Sequence, residues 1–124
     1  MNGDEVVRFA REYALTLPFT EPCWPFGPEY DVFKVGGKMF MLAAVIQGRP
    51  LINLKAAPEM ALLHQAIYDG IRPGYHMNKK HWISVYGGEN ITSELLKTLI
   101  DDSRQRVIDT LPARVRQRLR PPHG

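Results

Sequence analysis

A chain of 124 residues fits one domain that buries roughly two-thirds of its unfolded surface, so it needs neither disulfide nor metal to fold. Its 44% hydrophobic and 23% charged residues exclude wholesale disorder, and its single cysteine, Cys23, excludes an intramolecular disulfide framework and a four-cysteine zinc site. No apolar run approaches the ~18 residues of a membrane span, and the opening MNGDEVVRF lacks a basic-then-apolar leader pattern, so a soluble cytoplasmic protein of mild net charge, +3, is expected.

Residues 4–16 read as a helix, because Val6, Phe9, Ala10, Tyr13 and Leu17 recur at spacings of three and four. Asp4 and Glu5 suit its first turn, and Pro18 stops it. Residues 19–29, FTEPCWPFGPE, hold three prolines and read as an irregular or edge-strand segment. Its aromatics Phe19, Trp24 and Phe26 are expected to cover one end of the core, with an exposed stacking platform as the alternative. Cys23 reads as a buried structural thiol, since nothing nearby would activate it.

Residues 31–36 and 38–46 read as two strands joined at Gly36-Gly37, a pair that tolerates positive φ at both turn positions. The second, KMFMLAAVI, is apolar on both faces and belongs in the middle of a sheet. A third strand, 51–56, divides Ile52, Leu54 and Ala56 from Leu51, Asn53 and Lys55. Pro58 and Gly70 frame a helix with Met60, Leu63, Ala66 and Ile67 facing inward. Residues 71–78 read as a turn-rich connection and 79–86, KKHWISVY, as a strand. The last helix starts at the N-cap Thr92, buries Leu96, Leu99, Ile100, Val107 and Leu111, and ends or kinks at Pro112. The sum is an α+β domain over residues 1–112, a mainly antiparallel sheet packed against helices in two layers. A basic tail, 113–124, follows.

Charge is uneven along the chain. Residues 1–70 hold six basic and eight acidic side chains, whereas 71–124 hold ten and five. Arg114, Arg116 and Arg118 crowd the tail, and arginine's planar fork suits phosphate. The densest polar-aromatic cluster is Tyr75, His76, Met77, Asn78, Lys79, Lys80, His81 and Trp82. Cations, amide donors and aromatic faces within eight residues suit phosphate and base contacts, and equally a small acidic ligand or a protein partner. The structural alternative is an edge strand guarded by its lysines, with Trp82 in the core.

Enzymatic signatures are weak. His76 and His81 lack a third zinc ligand at a recognisable spacing. Gly36-Gly37-Lys38 leads into a strand rather than the helix a phosphate loop requires. Asp101 and Asp102 are adjacent on a helix and point apart. No metal or cofactor is expected.

Four segments carry a family resemblance: EPCWPFG at 21–27, DVFKVGGKMF at 31–40, INLKAAPE at 52–59 and GYHMNKKHWISV at 74–85. In order and spacing they resemble the MmcQ/YjbR family of small bacterial proteins. The resemblance implies a YjbR-like antiparallel sheet with helices, similar to the secretion-chaperone-like and CyaY-like arrangement. It also implies no catalytic activity, and a DNA-binding label that rests on likeness of fold. Carried onto this chain, the family's recurrent polar positions are Lys55, His76, Asn78, Lys79, Lys80, His81 and Trp82. The first expectation is therefore a monomeric, non-catalytic DNA-binding protein using these residues, helped by Arg114, Arg116 and Arg118. A chaperone-like protein-interaction module and a binder of a small anionic ligand are the alternatives.

Overall fold

The computed structural model describes residues 1–120; the last four residues of the expected tail, 121–124, lie outside the described residues. Helix α1 (Gly3–Thr16) opens on a reciprocal cap: the Asn2 side chain accepts from the Glu5 N–H at 2.8 Å, and the Glu5 carboxylate accepts from the Asn2 N–H at 2.9 Å. Strands β1 (Glu21–Cys23), β2 (Tyr30–Val35), β3 (Lys38–Ile46) and β4 (Arg49–Lys55) follow as an antiparallel meander. Helix α2 (Pro58–Ile67), β5 (Ile71–Pro73), β6 (Trp82–Val85), α3 (Ser93–Asp109) and α4 (Ala113–Arg118) complete the chain. The strands form one antiparallel sheet in the order β1-β2-β3-β4-β6-β5. The α+β class and the two-layer arrangement are as the sequence predicts.

Register divides the sheet cleanly. Phe33, Met41, Ala43, Ile52, Leu54, Ile83 and Val85 share one face and pack under α1 and α3 with Val6, Ala10, Leu96 and Ile100. The opposite face carries a small buried cluster, Val32, Leu42 and Ala44, and beside it the polar pair Asn53 and Ser84. The division of β4 into alternating faces follows the sequence reading, because period-2 patterning survives where one face is buried.

Two close approaches fix the helices. Gly36 and Gly37 turn the β2–β3 hairpin at φ 58° and 83°, and a Cβ on Gly36 would strike Leu111, with Val115 of α4 close behind. At the other end, a Cβ on Gly87 would meet the backbone of Asn2 and Gly3, so only glycine lets α1 start against the end of β6. The helices are further tied by Tyr13, whose hydroxyl donates to Asp101 at 2.7 Å. Burial and that carboxylate push its pKa up to about 12.

A polar splice joins α3 to the sheet. The β2–β3 register slips at Phe40, which has no partner opposite it on β2. On the other side of β3, fully buried Ser103 sits just beyond the last β3–β4 pair, Met41 with Leu54. Its hydroxyl donates to the Phe40 carbonyl at 2.6 Å and accepts from the Lys55 N–H at 2.8 Å.

Several expectations are corrected. Helix α2 buries only Ala61; Met60, Leu63, Ala66 and Ile67 are exposed, because the helix lies against short edge strand β5, beyond the cover of α3. Phe19, Trp24 and Phe26 do not cap the core, and their exposures are 46%, 54% and 63%. The α1 and α3 layer lies over the middle strands, and the Trp24 indole instead donates to Asp31, which also pairs with Arg11. Cys23 is half-buried rather than buried, since it sits on the outermost strand. Residues 71–73, expected in a connection, form edge strand β5, and β6 is consequently an interior strand. It starts at Trp82, because the Asn78 carbonyl accepts from the N–H groups of both His81 and Trp82 and closes a turn over 79–81. Helix α3 ends at Asp109, ahead of Pro112, and residues 113–118 of the basic tail form a further helix, α4. Leu119, just past α4, packs onto the core.

Candidate nucleic-acid interface

Antiparallel pairing sends β2, β4 and β5 toward one end of the sheet, where β3 and β6 begin. That end gathers the β2–β3 turn, Lys55 at the end of β4, and the connection 74–81 between β5 and β6. Val115 of α4 packs beside Gly36 of the same turn. The two sequence-distant basic segments thus lie toward the same end of the sheet, not in contact. About three strand spacings of ~4.8 Å separate the hairpin from the 74–81 connection.

The predicted residues differ in what they do there. His76, Asn78, Lys79, Lys80 and His81 are all exposed. Lys55 is half-buried and pairs in register with Trp82. Trp82 is partly buried and backs onto Gly74, where a Cβ would come within 2.7 Å of the Trp82 Cβ. Asn78 is a turn-maker: its side-chain oxygen accepts from the Lys80 N–H at 3.0 Å. The Lys79 ammonium donates to the Gly74 carbonyl at 3.0 Å and folds across the base of its own loop. His76 holds a left-handed backbone, φ 57°, with its ring edge-on to Tyr75 at 4.1 Å between centroids. Arg114, Arg116 and Arg118 are exposed on α4, and Arg116 leans back to the Asp109 carbonyl. Among the described residues, none of Lys55, Lys79, Lys80, Arg114, Arg116 or Arg118 forms an ion pair.

The device that shapes this surface was not singled out from sequence. Asn53 and Ser84 face each other across β4 and β6. The Ser84 hydroxyl donates to Asn53 Oδ1 and accepts from the Tyr75 N–H at 2.8 Å; Asn53 Nδ2 donates to the Tyr75 carbonyl at 3.1 Å. Both backbone groups of Tyr75 are thereby pinned to the sheet, which orders the cationic loop. The available signal was a lone polar residue inside each of two apolar strands, LINL and WISV. Arg49 and Arg72 stand apart from that end: Arg49 opens β4 opposite Ile46, and Arg72 sits on edge strand β5 opposite Ser84.

An exposed, loop-borne cation cluster at one end of a six-stranded antiparallel sheet marks a small α+β domain. A sequence model of the YjbR family matches residues 15–106, and the chain belongs to that family. It is 60% identical over 121 residues to YbdF of Escherichia coli O157:H7, covering 98% of this chain and 99% of that protein. It is 33% identical over 108 residues to YjbR of Escherichia coli K12, covering 87% and 92%. Among solved structures it resembles a Deinococcus radiodurans protein with a DUF419 domain, at 33% identity and TM-score 0.76, covering 96% of this chain and 88% of that one. A Pseudomonas syringae protein matches at 30% identity and TM-score 0.64, covering 86% and 98%.

Proposed function

We propose that this protein binds DNA without catalysis, through the basic end of its sheet. The observation that carries the reading is the convergence there of Lys55, Lys80, His81 and the α4 arginines, with no carboxylate paired to any of these lysines and arginines among the described residues. Unpaired surface cations gain by displacing counterions from phosphates, which is the sequence-independent part of DNA affinity. The net charge of +3 is mild, so the reading rests on the local cations at this end rather than on the charge of the whole chain.

Fluorescence anisotropy with a labelled mixed-sequence duplex at two salt concentrations tests this. Micromolar binding that weakens with salt is expected, and Lys55→Ala/Lys80→Ala should weaken it by about tenfold and flatten the salt dependence. Arg114→Gln/Arg118→Gln separates the α4 contribution and is preferable to truncation, because removing α4 would uncover the Leu119 contact with the core. No binding by the unaltered protein at low salt refutes the reading.

One observation favours a second reading, a protein-interaction module. Met60, Leu63 and Ile67 recur at helical spacing on exposed α2, with Leu62 70% exposed beside them. Sedimentation equilibrium discriminates: a concentration-dependent mass that Leu63→Lys abolishes would favour it.

A further inference from the structure

A cleft of about 790 Å3 opens beside β5, walled by the end of α2, by β5 and by the segment after β6. Its volume lies within the ordinary range for small-molecule sites, roughly 300–1,000 Å3. Its chemistry is mixed in a specific way. Arg49, Arg72 and Lys79 reach it from three different elements, and among the described residues none is ion-paired. Register explains the convergence: Arg72 stands opposite Ser84, on the Asn53 face of the sheet. Arg49 lies over the Tyr86 ring, 4.3 Å from its centroid, so its guanidinium is held in place without its charge being neutralised. Lys79 is held by the Gly74 carbonyl at 3.0 Å.

Two carboxylates, Asp69 and Glu89, line the same cleft, leaving three cations against two anions. Tyrosines 68, 75 and 86 supply aromatic walls. A bare inorganic anion would use the cations and leave the rest idle. A nucleoside phosphate uses all three groups: phosphate oxygens accept from the guanidinium forks, ribose hydroxyls donate to a carboxylate, and the base lies against an aromatic ring. We infer that this cleft is a binding site for a nucleoside monophosphate. The inference goes beyond the DNA reading and uses different residues, with Lys79 common to both.

Isothermal titration of the full chain at low salt, with adenosine 5′-monophosphate, adenosine and inorganic phosphate as probes, tests it. The monophosphate should bind with a Kd of about 10–100 μM, and adenosine and phosphate each at least about tenfold more weakly. Arg72→Gln and Arg49→Gln should each weaken the monophosphate by about tenfold, with melting unchanged because neither arginine is buried. Amide shifts in the unaltered protein give a readout free of mutation, and the monophosphate should move Arg72 and the Tyr86–Gly88 stretch. No binding up to about 5 mM, adenosine binding as well as its phosphate, or shifts confined to residues outside the cleft would each overturn the inference. Lys55→Ala/Lys80→Ala lies outside the cleft and should leave monophosphate binding intact, so loss of the DNA reading and loss of this one are told apart.

Discussion

Ser103→Ala is expected to lower stability by about 2–4 kcal/mol, a fall in melting temperature of roughly 10 °C for a domain of this size. The hydroxyl is buried completely and serves two backbone groups, the Phe40 carbonyl and the Lys55 N–H. Alanine leaves both without their partner, the Phe40 carbonyl in a buried setting and the Lys55 N–H in a partly buried one, and each orphaned group costs about 1–3 kcal/mol. The cavity left by one oxygen is too small to offset that by repacking. Thr98→Ala on the exposed side of the same helix is the control. Its hydroxyl bonds only to the Glu94 carbonyl one turn back, and its loss should stay within about 0.5 kcal/mol. Chemical denaturation of both variants decides the matter. A Ser103→Ala loss no larger than that of Thr98→Ala would mean that the hydroxyl does not splice helix to sheet.

The second large effect falls on Ser84. Ser84→Ala removes the donor to Asn53 and the acceptor of the Tyr75 N–H together. A stability loss of about 2–3 kcal/mol follows from the two orphaned groups. The functional consequence is separate. Tyr75 anchors the connection that carries His76, Lys79, Lys80 and His81, and an unpinned loop must be ordered when it binds. DNA affinity should therefore fall by about three- to tenfold although no contacting cation has changed. Measured below the variant's melting transition, unchanged affinity would show that the loop does not need its anchor.

The fold was legible where patterning and turn chemistry agree. The Gly36-Gly37 turn, the alternation along β4 and the Thr92 cap all stand as read, because each is set by neighbours in sequence. Thr92 Oγ1 accepts from the Leu95 N–H as such a cap should. What failed was burial at the sheet's margins. Met60, Leu63 and Ile67 have a core-facing spacing, yet whether a helix finds a core depends on which strand lies beneath it, and that is a matter of strand order. Trp24 and Phe26 failed for the same reason at the opposite edge. Strand β5 was missed because three residues ending in proline carry too little pattern to stand apart from a turn.

The candidate surface was partly legible. Apart from half-buried Met77, the run from His76 to His81 is exposed, as residues rich in charge and turn formers should be. Its splitting into a turn-maker, a folded-back lysine and free cations depends on hydrogen bonds that spacing cannot show. The placement of Lys55, the loop and α4 toward one end of the sheet, and of Arg49 with Arg72 beside the cleft, arises from pairing between segments far apart in the chain.

Strand order also dictates when these surfaces come into being. The meander from β1 to β4 closes by successive short-range hairpins, but β5 touches the sheet only through β6, which must first slot in beside β4. In N-to-C order the four strands of the meander are therefore all synthesised while β5 still has no edge to join. The cationic connection and the cleft are assembled in one late step, when residues 82–85 dock and capture β5 behind them. The cationic end and the cleft are thus features of the completed sheet alone, absent from any chain that stops short of β6.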